Sequence, residues 1–352
     1  MTAEPDILFD RRGAAGIVTL NRPQALNAVS LGMVRALAAQ LAEWQDDGSV
    51  TRVVLTARGG RAFSAGGDLR GLYDLGQAGR YDEALSFFRE EYRLNAQIKH
   101  CRKPYVSLID GIVMGGGAGI SVHGSRRVAG DKFLFAMPEV GIGFFPDIGA
   151  TWFLTRMPGK LGLYGALTGE RLNAADGVET GIATHRVSSS RFAELTEALC
   201  GNVPVDAVLG AFAEPVGDAP VAALRPVIDR LFAGDGVEKI LAALDRAGEG
   251  TGPGAEFGRK TAATIRTKSP LSLKVTLRQM LLGKSCDFDQ CMRMEFRIVS
   301  RIVRGHDLYE GIRAVIVDKD QTPRWQPATL EAVDADEVER HFAPVENELQ
   351  VS

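Results

Sequence analysis

The chain has 352 residues, 45% of them hydrophobic and 24% charged, with a formal net charge of −3. That length and balance suit one large globular domain with an appendage, or two domains, and they give no basic excess of the kind a nucleic-acid surface needs. The four cysteines, Cys101, Cys200, Cys286 and Cys291, form no CxxC pair and no His/Cys zinc spacing, and no apolar run reaches the length of a membrane span.

The N-terminus, Met1 to Asp6, is acidic and has no apolar core of a secretory signal, so a cytoplasmic location is expected. Gly16 to Leu20 reads as a strand ending at Asn21-Arg22-Pro23, and Ser30 as the N-cap of an amphipathic helix to about Gln45. Thr51 to Thr56 is a second strand, followed by the loop Arg58 to Arg61. A longer helix is expected from Tyr81 to Lys99, then a third strand over Pro104–Ile109, closed by Asp110-Gly111. A glycine-rich turn, a short helix and the strand Arg127–Ala129 follow. This alternation predicts an α/β domain over residues 1–202. Val203 to Pro220, with three prolines and several small residues, reads as a linker with little regular structure. Residues 203–327 are helical in pattern, with helices opening at Ser269-Pro270 and running from Asp287 to Arg304. Residues 328–352 form an acidic tail, expected to be partly ordered.

Four features carry chemical meaning. In Ala62 to Leu69, paired glycines bring bare N–H groups close to a ligand, and Asp68 is placed to cap a helix opening at Leu69; alone, this reads as a structural turn. Met114 to Gly119 sets three consecutive glycines between a strand and a helix, which serves either an anion site or close packing. It lacks the third glycine of a dinucleotide fingerprint and the Gly-Lys-Ser/Thr of a P-loop. Phe135 to Asp147 places Glu139 and Asp147 in an apolar, glycine-punctuated stretch. Buried carboxylates are costly without partners, so this pair reads either as salt bridge and cap or as acid/base machinery. Glu90 and Glu91 lie side by side on the Tyr81–Lys99 helix, where the residues alone indicate a surface pair. Gly119-Ile120-Ser121-Val122-His123 imitates a nucleophile elbow, but His123 stands where the second glycine belongs. The histidines read as structural or surface groups, and His100 to Lys103 as a solvated loop.

At these residues the chain resembles the crotonase (enoyl-CoA hydratase/isomerase) superfamily. Leu20-Asn21-Arg22-Pro23, Ala25-Leu26-Asn27-Ala28, Phe63 to Leu69 and Gly115-Gly116-Gly117 carry the resemblance. It is similar in particular to the 3-hydroxyisobutyryl-CoA hydrolase branch, through Arg89-Glu90-Glu91-Tyr92, Ser121-Val122-His123-Gly124, Phe135 to Glu139 and Phe145-Pro146-Asp147. Ala166 to Gly169, Gly181 to His185, Ser269 to Lys274 and Val317 to Asp320 extend it to about residue 327.

The resemblance implies a spiral of ββα units with a C-terminal helical region of the kind used in homo-oligomers. It implies an acyl-CoA substrate, with no nucleic acid, membrane, metal or redox cofactor, CoA being part of the substrate. The reaction implied is hydrolysis of a short β-hydroxyacyl-CoA thioester, 3-hydroxyisobutyryl-CoA in valine breakdown. Backbone N–H groups of Gly67 and Gly116 would grip the thioester oxygen. Glu139 would act as nucleophile or general base, Asp147 would orient the substrate hydroxyl or water, and Glu91 would anchor the β-hydroxyl. Gln24, Ala25, Leu26, Ala65, Asp68 and Leu69 would line the CoA path. Hydratases carry a second glutamate at the position of Gly119, so two-glutamate hydration is not expected. An enoyl-CoA hydratase or isomerase using Glu139 alone, and a non-catalytic acyl-CoA binder, are the alternatives. Two departures stand out, Gly149-Ala150-Thr151-Trp152 in place of a more glycine-rich run and Phe296 in place of a tyrosine.

Overall fold

Three times along the chain an apolar run is followed by a sharp corner, a second short run and a helix. The computed structural model, which describes residues 4–351, turns this repeat into a spiral. An antiparallel hairpin of β1 (Ile7–Arg12) and β2 (Ala15–Leu20) opens the fold. The repeats follow as β3 (Arg52–Ala57) with β4 (Ala62–Ser64), β5 (Tyr105–Ile109) with β6 (Ile112–Met114), and β7 (Arg126–Ala129) with β8 (Leu134–Ala136). The first strand of each repeat joins one parallel sheet and the second joins another. With β9 (His185–Arg186) the orders are β1-β2-β3-β5-β7-β9 and β4-β6-β8. At the β5–β6 corner Gly111 has φ +94°, and a Cβ there would lie 2.8 Å from Arg61 O, so the turn requires glycine.

The helices between strands begin where capping residues predict. Ser30 accepts the Met33 N–H to start α1 (Leu31–Asp46), and Asp68 accepts the Gly71 N–H to start α2 (Leu69–Gln77). α3 (Tyr81–Lys99) covers the spiral, and α4 (Gly116–Gly119) is a single turn after β6. After β8 come a 3₁₀ turn at Glu139–Ile142, then α5 (Ala150–Leu154), α6 (Leu161–Thr168) and α7 (Ala174–Glu179).

The expected linker is in part a helix. α8 (Phe192–Cys200) and α9 (Val205–Phe212) lie on the outer face of the large sheet, and within the expected linker only 213–219 and the first two residues lack helix. Leu195, Leu199, Val208, Leu209 and Phe212 pack there on Ala15, Ile17, Val54, Val106 and Val128. The parallel strands are thus buried on both faces, which is why they read as continuous apolar runs.

The remaining helices are α10 (Pro220–Leu231), α11 (Val237–Gly248), α12 (Pro253–Arg266), α13 (Pro270–Gly283), α14 (Phe288–Ile302), α15 (His306–Ile312) and α16 (Ala335–Arg340), with a π-helical turn at Arg313–Val317. Ser269 caps α13 with Pro270 in its first turn, and Asp287 and Gln290 form a capping box on α14. Leu273 of α13 and Phe296 of α14 belong to the same apolar core as Val18 of β2. The acidic tail runs against α3 and α14, where Arg89, Arg93 and Arg297 bind it. No helix among the described residues is long and apolar enough to cross a membrane.

Candidate active site

A cavity of about 540 Å³ opens where the spiral meets the C-terminal helices. Ala65 to Leu69 form one wall and Phe87, Phe88 and Glu91 of α3 another. Met114 to Gly116 and Glu139 form the floor, with Asp147 beside them, and Leu308, Val315 and Ile316 close the far side.

The two glycine motifs meet at this floor. Gly66 has φ +121° and Gly115 has φ +44° with ψ −129°, backbone that a side chain would strain. The parallel bridge of Val29 with Gly67 uses the Gly66 carbonyl and the Asp68 N–H, and so leaves the Gly67 N–H free of it. Gly116 opens α4, where N–H groups lack intrahelical acceptors. A Cβ on Gly116 would lie 3.5 Å from Gly67 N and 2.6 Å from Glu91 Oε1, so both amides and a carboxylate share one small space. A Cβ on Gly117 would instead strike Ser64 Cβ at 2.6 Å, so Gly116 faces the cavity while Gly117 serves close packing.

The carboxylates converge here from different elements. Pro138 precedes the 3₁₀ turn that carries Glu139, and a Cβ on Gly115 would lie 3.5 Å from Glu139 Oε1. Glu139 Oε2 and Glu91 Oε1 are buried without hydrogen-bond partners among the described residues. Asp147 Oδ2 accepts the Tyr92 hydroxyl at 2.8 Å. Burial, and then the Asp147 charge, push Glu139 and Glu91 well above the usual carboxylate range. Burial raises Asp147 to about 7, against the Tyr92 hydrogen bond, which favours the anion. The adjacent Glu90 plays no part, because Arg35 holds it in a two-pronged pair at 2.6 and 2.7 Å. The surface reading of the glutamate pair therefore holds for Glu90 and fails for Glu91. Among the described residues no group of three or more His, Cys, Asp or Glu side chains is placed to hold a metal ion.

The residues named for the CoA path divide. Ala65, Asp68 and Leu69 line the cavity. Gln24, Ala25 and Leu26 lie outside its lining, in and just after a 3₁₀ turn at Pro23–Ala25; the Ala65 N–H bond to Leu26 O, 3.0 Å, ties them to the rim. Asp68 also faces Arg22 at 3.4 Å. At Gly119 an added Cβ would lie 2.8 Å from Asn95 Nδ2 and 3.0 Å from Ile148 Cβ, so a side chain there would displace both neighbours. Ser121 donates to Gly117 O and His123 lies against Ile148 O, so the two form no nucleophile–base pair. His100 to Lys103 stays away from the cavity, with His100 on Asp289 and Lys103 on the carbonyls of Trp44 and Asp47.

Sequence reasoning missed Tyr92, Glu295 and Gln279. Glu295 accepts the N–H groups of Gly149 and Thr151 at 2.7 and 2.8 Å, just after Asp147, and Gln279 donates to Pro146 O at 2.7 Å. A signal for Glu295 existed, since it stands on the apolar stripe of α14 with Met292, Phe296 and Val299.

The family model for enoyl-CoA hydratase/isomerase matches residues 15–342. The chain is 45% identical to the mitochondrial 3-hydroxyisobutyryl-CoA hydrolase of Xenopus laevis, covering 95% of this chain and 88% of the relative. It is 41% identical to the human protein of that name, covering 97% and 89%. Those relatives are named as mitochondrial, so they lend no support to the expected cytoplasmic location. Among solved structures, a carnitinyl-CoA dehydratase from Mycobacterium thermoresistibile superimposes with TM-score 0.93 at 43% identity, covering 99% of both chains. An enoyl-CoA hydratase from Rhodobacter sphaeroides 2.4.1 gives 0.89 at 38% identity, covering 98% of this chain and all of the other. The spiral, the paired glycine amides over a buried glutamate and these matches lead to one conclusion: the chain belongs to the enoyl-CoA hydratase/isomerase (crotonase) family.

Proposed function

We propose that this protein hydrolyses a short β-hydroxyacyl-CoA thioester, 3-hydroxyisobutyryl-CoA, to the free acid and CoA, a step of valine breakdown. The observation that carries this reading is the buried Glu139, set beside the Gly67 and Gly116 amides in a cavity that also holds Asp147. Two N–H donors aimed at one point stabilise the negative charge that forms on a thioester oxygen under attack. The ionised Glu139 then has two routes. It adds to the carbonyl carbon, expels CoA thiolate and leaves a mixed anhydride that water cleaves, or it takes a proton from water as that water attacks. Asp147, held by Tyr92, orients the substrate hydroxyl or the water, and Glu91 accepts a hydrogen bond from the β-hydroxyl. The names of the relatives at 41 to 45% identity support this substrate.

The solved neighbours titled dehydratase and hydratase favour a second reading, water addition to or removal from the acyl chain. Gly119 weighs against it, because that position supplies no second acid to work with Glu139. A single experiment separates the readings. Incubation with 3-hydroxyisobutyryl-CoA is expected to release free thiol, while crotonyl-CoA keeps its conjugated enoyl absorbance. Loss of that absorbance without thiol release would establish the hydratase instead, and binding without either activity would leave an acyl-CoA binder. Glu139→Gln is expected to abolish turnover and retain binding. Hydroxylamine present during turnover would leave a hydroxamate at Glu139 only on the anhydride route.

A further inference from the structure

The loop that presents Asp147 is held in backbone that its own sequence disfavours. Ile148, a β-branched residue, has φ +54°, in the left-handed region. Such a conformation is unfavourable for a β-branched side chain and persists only where the surroundings impose it. The surroundings here are hydrogen bonds from three side chains distant in sequence, Gln279, His123 and Glu295. Gln279 Nε2 on α13 donates to Pro146 O at 2.7 Å, and His123 Nε2 reaches Ile148 O at 2.6 Å. Burial lowers His123 to about 4, so its ring is neutral and the Nε2–H is the donor. From α14, the two oxygens of Glu295 take the Gly149 and Thr151 N–H groups at 2.7 and 2.8 Å. Glu295 is fully buried; burial raises it to about 8, against the hydrogen bonds from Thr151 and Gly149, which favour the anion.

We propose that Glu295 is a positioning residue, whose carboxylate clamps the backbone after Asp147 and thereby fixes the Asp147 carboxyl against Tyr92 and toward the cavity. Only a carboxylate offers two acceptors to two N–H groups two residues apart. A glutamine offers one acceptor and turns a second donor against a donor. An aspartate is shorter by a methylene. The inference rests on the proposed role of Asp147 in hydrolysis, and the two are separable by experiment.

The test uses the full chain with Glu295→Gln and, as the milder change, Glu295→Asp. Thiol release from 3-hydroxyisobutyryl-CoA is expected to lose about 10- to 100-fold in kcat for Glu295→Gln, with KM within about twofold, as for a misplaced catalytic group. In an Asp147→Asn background the same change is expected to cost less than about twofold, because Glu295 then has nothing left to position. Amide exchange is expected to quicken over residues 147–152 and to stay unchanged in β5 and α3. A kcat loss that is equal in both backgrounds, or unchanged exchange over 147–152, would overturn the proposal. If the wild-type protein releases no thiol, the hydrolase reading fails, and the exchange measurement still decides whether Glu295 clamps the loop.

Discussion

A carboxyl group in an apolar pocket resists ionisation, and a second carboxylate beside it adds to that resistance. Glu139 is raised by burial first and by Asp147 second, so removing the Asp147 charge removes part of its shift. Catalysis by an ionised Glu139 predicts a rate that rises with pH, and Asp147→Asn should move that rise to lower pH while reducing the maximum rate. A rise left in place would show that Asp147 does not act on Glu139. The same group makes a prediction for stability. Asp147 titrates near 3.8 when exposed and at about 7 in the fold. Between those values the unfolded chain gives up a proton that the native state keeps, so stability present in acid is lost as pH rises to about 7. Asp147→Asn escapes that loss and still offers an oxygen to the Tyr92 hydroxyl. The variant should therefore be more stable than wild type at pH 8 and close to it near pH 4. Melting curves at the two pH values check this, and a variant that melts lower at pH 8 would refute it.

At the scale of elements, the α8–α9 layer is remote from the chemistry. It covers the face of the large sheet turned away from the cavity, and Leu209 is buried there without exposure. Leu209→Ala should cost roughly 2–5 kcal/mol by leaving a void. It should leave KM and kcat of the folded protein near wild type, and a changed KM would show that the layer reaches the site. This layer also marks where local reading of the sequence stops. Ser30, Asp68, Ser269 and Asp287 announce helix starts through contacts three residues away, and their caps form where expected. Glu139 and Asp147 stood out as acids in an apolar run, but the residues left their role and that of the paired glycines open, and only the family resemblance implied one. α9 was hidden because its small and proline-flanked sequence gains helical stability from the sheet beneath it, a contact no local pattern records. Glu295 lies 146 residues from the Gly149 it binds, and Tyr92 lies 55 from Asp147, so their roles exist only once the spiral has closed. Gln24, Ala25 and Leu26 were placed by motif position, and they lie outside the lining of the cavity, joined to its rim through Ala65.

On the scale of the whole molecule, the site depends on two helices far apart in sequence, α3 with Glu91 and Tyr92, and α14 with Glu295. The last residues of the chain join them. Arg89 of α3 donates to the carbonyls of Asn347 and Glu348 at 2.7 and 3.1 Å, and Arg93 to that of Gln350 at 3.3 Å. Arg297 of α14 binds the Glu348 carboxylate at 2.8 Å, and Arg301 donates to Pro344 O at 3.2 Å. Leu349 is buried between them at 1% exposure, worth about 2 kcal/mol in apolar contact alone. The Arg89 guanidinium also lies 4.3 Å over the ring of Phe296, which meets Tyr92 edge-on. The acidic composition of the tail alone suggests partial order. Here arginines supply the opposite charge and donors for backbone carbonyls, and the tail becomes a strap across the two helices. A chain ending at Ala343 should therefore lose on the order of 3 kcal/mol of stability, and melt several degrees lower. Its turnover should fall as well, because the strap spans the helices that hold Asp147 through Tyr92 and Glu295. Leu349→Ala should reproduce about half of the stability loss while leaving the arginine contacts in place. A truncated chain with the melting point and turnover of the full protein would show that the strap is incidental to both.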